Sequence, residues 1–195
     1  MGAIQSKKKY VILYGSLGCG KTTLLYSQKS TLKFSDSIKP TEGINYEELN
    51  IENQIMGIFE VSGDCMQYEL VNIISSNVYI SGIIYVVPLN QVEKIKDFKD
   101  QLALILCNNN IEENNISLIV IYNIKNSDKE RLSWLSLDAL DECMELKKFK
   151  NNYKLKGYFS LIYDCSSNNT NIFDENSLLR KLKNFIDDIF KETLY

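Results

Sequence analysis

A short glycine-rich segment near the start of the chain, Gly15-Ser16-Leu17-Gly18-Cys19-Gly20-Lys21-Thr22, constrains the fold more than any other feature. It satisfies G-x-x-x-x-G-K-[ST] at every specified position, a pattern that works only as a loop between a strand and a helix. Both flanks comply. The run Tyr10–Tyr14 is β-branched and aromatic, and a helix-like stretch, Lys21–Lys29, follows with Leu24 and Leu25. Glycines at these positions let the backbone curl its N–H groups around phosphate oxygens, and the next helix adds its positive N-terminal end. Lys21 then bridges the β- and γ-phosphates of a nucleotide, and the Thr22 hydroxyl binds Mg²⁺.

The rest of the chain alternates in the same way. Near-continuous runs of Val, Ile and Tyr at Ile55–Glu60, Tyr79–Val87, Ser117–Tyr122 and Tyr158–Tyr163 predict strands buried on both faces. Helical stretches are predicted at Gln91–Cys107, Leu135–Phe149 and Asn176–Phe190, the last with Leu182, Phe185, Ile186 and Ile189 on one side. Strand and helix in alternation imply an α/β fold with a mostly parallel central sheet and helices on both faces. Asparagine clusters such as Asn108–Asn110 and Asn168–Asn171 read as loops, and the only prolines are Pro40 and Pro88, so no linker is expected. A short N-terminal arm, 1–9, and one domain, 10–195, are the expected organisation.

Composition removes several classes of chemistry. None of the 195 residues is histidine, which excludes Ser-His-Asp and Cys-His pairs and imidazole proton shuttling. A net charge of −3 gives no general attraction for nucleic acid. The five cysteines are scattered without a C-x-x-C pair, which fits a reducing, cytoplasmic setting. The longest apolar stretch, Val78–Leu89, falls far short of the ~20 residues that span a bilayer.

Two further segments lie at informative distances from the loop: Pro40-Thr41-Glu42-Gly43, and Glu60-Val61-Ser62-Gly63-Asp64. With Gly20–Leu25, they resemble the small GTPases, most closely the ADP-ribosylation factor (Arf) and Arf-like family, in placement from Gly2 to Phe190. The resemblance implies a P-loop G-domain that binds GTP or GDP with Mg²⁺ and acts as a monomer. It implies a phosphate and nucleotide set of Gly15, Gly18, Cys19, Gly20, Lys21, Thr22 and Thr23. Thr41, in the first switch, would reach Mg²⁺ and the γ-phosphate, and Gly63, in the second, would offer its N–H to that phosphate.

Three departures from the family pattern bear on function. Glu60 stands where the family has aspartate, keeping a carboxylate near Mg²⁺, through water, on a longer side chain. Asp64 stands at the catalytic glutamine's position, and an ionised carboxylate cannot donate a hydrogen bond to the transition state. At an assumed ~5 Å and an effective dielectric near 20, its repulsion of a phosphoryl charge is roughly 3 kcal/mol, on the order of 10²-fold in rate. Leu17 adds bulk over the loop. The guanine-reading Asn-Lys-x-Asp falls at Asn123-Ile124-Lys125-Asn126, which keeps the asparagine and loses the lysine and the aspartate. Asp128 is a possible substitute, and the Cys165-Ser166-Ser167 turn stands where the family contacts the guanine carbonyl. Base preference is therefore open.

Met1-Gly2-Ala3-Ile4-Gln5-Ser6 fits the N-myristoylation pattern at Gly2, and Lys7–Lys9 follow it. One acyl chain binds a membrane only marginally, and each lysine adds about 1 kcal/mol at an anionic leaflet. With only Gly2–Lys9 before the first strand, nucleotide-driven release of an amphipathic helix is not expected. The leading expectation is a peripheral-membrane nucleotide switch in vesicle and protein trafficking with very slow hydrolysis, whose effectors and exchange factor the sequence does not identify. The alternative is a pseudo-GTPase scaffold with altered or lost guanine specificity. A P-loop kinase or ATPase ranks last, because Arg131 and Arg180 lie outside the phosphate and switch segments.

Overall fold

The structure is a computed structural model that describes residues 8–27, 40–51, 54–64, 66–124, 134–163 and 178–191. Six strands form one sheet in the order β2-β3-β1-β4-β5-β6. They are β1 (Lys9–Tyr14), β2 (Ile44–Ile51), β3 (Gln54–Val61), β4 (Ile80–Pro88), β5 (Ser117–Asn123) and β6 (Gly157–Tyr163). All neighbours pair in parallel except β2, which runs antiparallel to β3. The predicted mostly parallel sheet is the one observed.

Strand composition explains the layering. β1, β4 and β5 are buried almost throughout, as Val-, Ile- and Tyr-rich strands covered on both faces must be. Alternate residues of β1 serve opposite cores. Ile12 and Tyr14 pack with α2 (Gln67–Asn77), α3 (Ile95–Leu106) and the pair α5 (Leu137–Cys143) and α6 (Leu146–Asn152). Val11 and Leu13 pack with α1 (Lys21–Ser27) and α7 (Leu178–Phe190). A four-residue turn of helix, α4 (Asn109–Glu112), follows α3 and leads into β5.

Five elements differ from expectation, the first being α4, where Asn109 and Asn110 are helical and capped by Asn108 instead of forming a loop. β2 was not anticipated: its inward positions are Asn45, Glu47 and Leu49, while Ile44, Tyr46 and Glu48 are exposed. It is an edge strand with period-two burial rather than an apolar run. α2 buries only Val71, Ile74 and Ser75, too narrow a stripe to stand out in sequence. The stretch Gln91–Cys107 begins as a 3₁₀ turn (Leu89–Lys94) in which Gln91 departs from helical geometry. The stretch Leu135–Phe149 is split at Glu145, whose φ of 55° lies in the left-handed region and ends the helix.

Strand order places the site. β1 is flanked by β3 on one side and β4 on the other, so loops leaving its C-terminal end open onto the point where the order reverses, the usual ligand crevice of such sheets. Helix α7 closes the far face with Leu182, Phe185, Ile186 and Ile189, and Phe185 meets Phe159 edge-to-face at 6.3 Å. Replacing the fully buried Phe185 by alanine is expected to lower stability by about 3–5 kcal/mol, read from the urea midpoint.

Candidate functional site

The loop after β1 takes the shape its glycines permit. Gly15, Gly18 and Gly20 have φ of 147°, 71° and 102°, a region closed to most side chains. A Cβ on Gly15 would stand 2.5 Å from Val86 O and 2.8 Å from Cys19 Sγ, so loop and sheet are in direct contact there. Inside the turn, Cys19 N donates to Ser16 O at 3.2 Å, and α1 starts with Leu24 N donating to Gly20 O at 2.8 Å.

Lys21, the first residue of α1, is only 6% exposed. Its Nζ donates to Gly15 O at 2.7 Å and Ser16 O at 3.1 Å, which folds the ammonium back over the loop. The next two residues, Thr22 and Thr23, line the same cavity of about 260 Å³, along with Leu17, Gly18, Cys19, Gly20 and Lys21 from the loop. Its opposite wall brings in Pro40, Thr41, Glu60 and Gly63. Thus residues from three separate stretches of sequence line one cavity.

Glu60 is the densest node. It has no solvent exposure, and a buried carboxylate must be satisfied by donors. Oε1 accepts from Thr22 Oγ1 and, at 3.1 Å, from Thr41 Oγ1. The two hydroxyl oxygens are themselves 3.1 Å apart. Oε2 accepts from Asn45 Nδ2 at 3.2 Å. Asn45 lies directly opposite Glu60 in the antiparallel β2–β3 register, which is why it reaches. Sequence reasoning missed Asn45, because only strand register reveals the pairing. The oxygens present are the hard donors that suit Mg²⁺, with one carboxylate and room for phosphate oxygens to complete the set.

Gly63 presses on the phosphate loop. A Cβ there would sit 2.3 Å from Leu17 N and 2.5 Å from Ser16 C, so no side chain fits. Asp64 is different. It is exposed and does not line the cavity, and its Oδ1 accepts from Met66 N at 3.0 Å beside the start of α2. Solvent screening at that position removes most of the repulsion assumed above. The missing donor at Asp64 therefore weighs more than its charge.

Asn123, the last residue of β5, is 8% exposed and donates from Nδ2 to Cys19 O at 2.8 Å, bracing the phosphate loop from below. Ile124 follows it into the core beside Tyr122 and Leu140, with its N–H donating to Tyr163 O at 2.9 Å. At the position where the family's lysine packs along the base, this side chain is thus buried in the protein. Leu17 is 57% exposed at the cavity rim. Gly2, Asn126, Asp128, Cys165 and Ser166 lie outside the described residues.

The profile of the ADP-ribosylation factor family matches residues 2–182. The chain belongs to that family. ADP-ribosylation factor F of Dictyostelium discoideum is 30% identical over 121 residues, 58% of this chain and 57% of that protein. The ADP-ribosylation factor-like protein 14 of Mus musculus is 26% identical over 76% of this chain and 73% of its own length. The fold matches the Arl6 BBS3 small GTPase of Trypanosoma brucei with bound nucleotide analogue GppNp, at a TM-score of 0.69 and 16% identity over 94% of this chain and 98% of that one.

Two outcomes follow for this Arf-family chain. Asn123→Ala leaves Cys19 O without its donor and is expected to lower stability by about 1–3 kcal/mol, read by thermal melting. Burial pushes the Cys19 thiol up, against the opposing pull of Lys21. Near pH 8, mass-resolved alkylation should therefore modify the exposed Cys107 and Cys143 at least about tenfold faster than the buried Cys19.

Proposed function

We propose that this chain binds guanine nucleotides with Mg²⁺ and works as a switch whose triphosphate state closes Thr41 and Gly63 over the γ-phosphate. One observation carries the reading: Lys21, Thr22, Thr41, Glu60 and Gly63 face a single cavity. A phosphate loop alone serves many enzymes. A threonine from one segment and a bare glycine backbone from another, set against the same loop, suit sensing the third phosphate.

Within that reading, Lys21 exchanges the carbonyls of Gly15 and Ser16 for phosphate oxygens, a charge-assisted contact roughly twice as strong as a neutral one. Bound Mg²⁺ would supply neutralisation of charge on the β- and γ-phosphate oxygens. Asn123 keeps the loop in shape, and Gly63 offers its N–H because nothing stands between its backbone and Leu17. Hydrolysis is very slow. Water near the γ-phosphate lacks the orienting amide that glutamine provides, since Asp64 carries only acceptors and engages Met66 N–H instead.

The same reading places the protein at a membrane surface in vesicle or protein trafficking, through myristoyl at Gly2. The basic contribution is smaller than Lys7–Lys9 suggest. Lys8 Nζ pairs with Glu48 Oε1 and lies 5.4 Å and 5.2 Å from the ring centres of Tyr10 and Tyr46. Its bonds to Glu48 and Tyr46 hold the Lys8 ammonium above its usual range, so its charge is already partnered on β2. Among the described residues, no helix is long and apolar enough to cross a membrane.

Calorimetric titration of the purified protein with GTP, GDP and ATP in Mg²⁺ tests this function. Binding of GTP and GDP is expected, with a loss of at least about tenfold in Lys21→Ala. Absence of binding to any nucleotide would falsify it. In single-turnover assays, Asp64→Gln should hydrolyse GTP at least about tenfold faster than the parent chain, and equal rates would remove Asp64 as the cause of slow turnover.

A further inference from the structure

We infer that Glu60 is a direct ligand of the divalent cation, through Oε1, rather than a partner reached through water. The inference rests on the nucleotide-binding reading above and names how this chain's own residues would hold the metal. Thr22 Oγ1, Thr41 Oγ1 and Glu60 Oε1 are in mutual contact, with both Thr41 separations at 3.1 Å and Thr22 hydrogen-bonded to Glu60. In an octahedron with metal–oxygen bonds near 2.1 Å, adjacent ligand atoms lie about 3.0 Å apart. The two Thr41 separations are thus close to an octahedral edge, Thr22 stays hydrogen-bonded to the same Oε1, and hydroxyl lone pairs are left over beyond the protons given to Glu60.

Side-chain length decides between direct and water-mediated contact. Removing one methylene from Glu60 withdraws the carboxylate by about 1.5 Å, which opens the gap that a bridging water would fill. Glutamate at this position closes that gap: Oε1 accepts directly from both hydroxyls. Orientation is fixed from behind. Asn45 Nδ2 holds Oε2 at 3.2 Å, and a second, longer contact of 3.5 Å to Tyr26 Oη ties Asn45 to α1. Oε1 is thereby turned toward the cavity. Asn45 is a positioning residue, acting on the metal only through Glu60.

Manganese as the probe cation makes the claim measurable without turnover. The protein is loaded with Mn²⁺ and a non-hydrolysable GTP analogue, and water bound to Mn²⁺ is counted by EPR in ¹⁷O-enriched water. Glu60→Asp should gain one coordinated water over the parent chain and bind Mn²⁺ at least about tenfold more weakly. Asn45→Ala should weaken Mn²⁺ by about tenfold with no change in the unliganded fold by circular dichroism. If Glu60→Asp does not fold, ENDOR on the parent chain labelled with ¹³C-carboxyl glutamate reads the contact itself. A carboxylate carbon coupled as strongly as in a directly bonded ligand supports the inference. Equal water counts in parent and Glu60→Asp, or no strong ¹³C coupling, overturn it while leaving nucleotide binding intact. A parent chain that takes up neither analogue nor Mn²⁺ overturns the proposed function, and the inference with it.

Discussion

The carboxylate of Glu60 has no contact with solvent, and much of the site exists in the form needed to satisfy it. A buried charge without donors is among the more destabilising features a protein can carry. Here three segments bring donors to it: Thr22 from the first turn of α1, Thr41 from the stretch before β2, and Asn45 from β2 itself. The edge strand β2 is held by its antiparallel ladder to β3 and by bonds at its inward face, Asn45 to Glu60 and Tyr26 to Glu47. Loss of the carboxylate would leave those groups facing one another across a polar void.

A second constraint runs along the backbone. Gly63 has no room for a Cβ because the phosphate loop lies against it, and Gly15 has none because Val86 O and Cys19 Sγ lie against the loop from below. With Asn123 holding Cys19 O, the loop is clamped between the ends of β3, β4 and β5. Such clamping matters for an anion site. Backbone N–H groups are weak individually, and they attract phosphate strongly only when held in a fixed concave arrangement. Rigid support below and a closing segment above suit the proposed nucleotide switch.

Much of this was legible in the sequence. The phosphate loop fixed β1 and α1, and the continuous apolar runs marked the buried parallel strands, because full burial leaves a compositional trace at each position. The stripe Leu182, Phe185, Ile186 and Ile189 marked α7 for the same reason. β2 was hidden, since a half-exposed edge strand with Asn45 and Glu47 pointing inward looks like a polar loop. The role of Asn45 was hidden more deeply, for it depends on register across the sheet. The motif also placed Asp64 at the catalytic position but could not show its carboxylate turned to Met66 N–H. Ile124 illustrates the converse: its mismatch with the family lysine was plain, while its burial in the core beside Tyr122 needed the fold.

In the proposed function a guanine nucleotide occupies the cavity between the phosphate loop and the Thr41 and Gly63 segments. The most direct test is to denature the protein as purified and identify the released small molecules by HPLC. Close to one equivalent of GDP or GTP per chain is expected. Release of adenine nucleotide, or of none from a chain that also fails to take up added GTP, would contradict it.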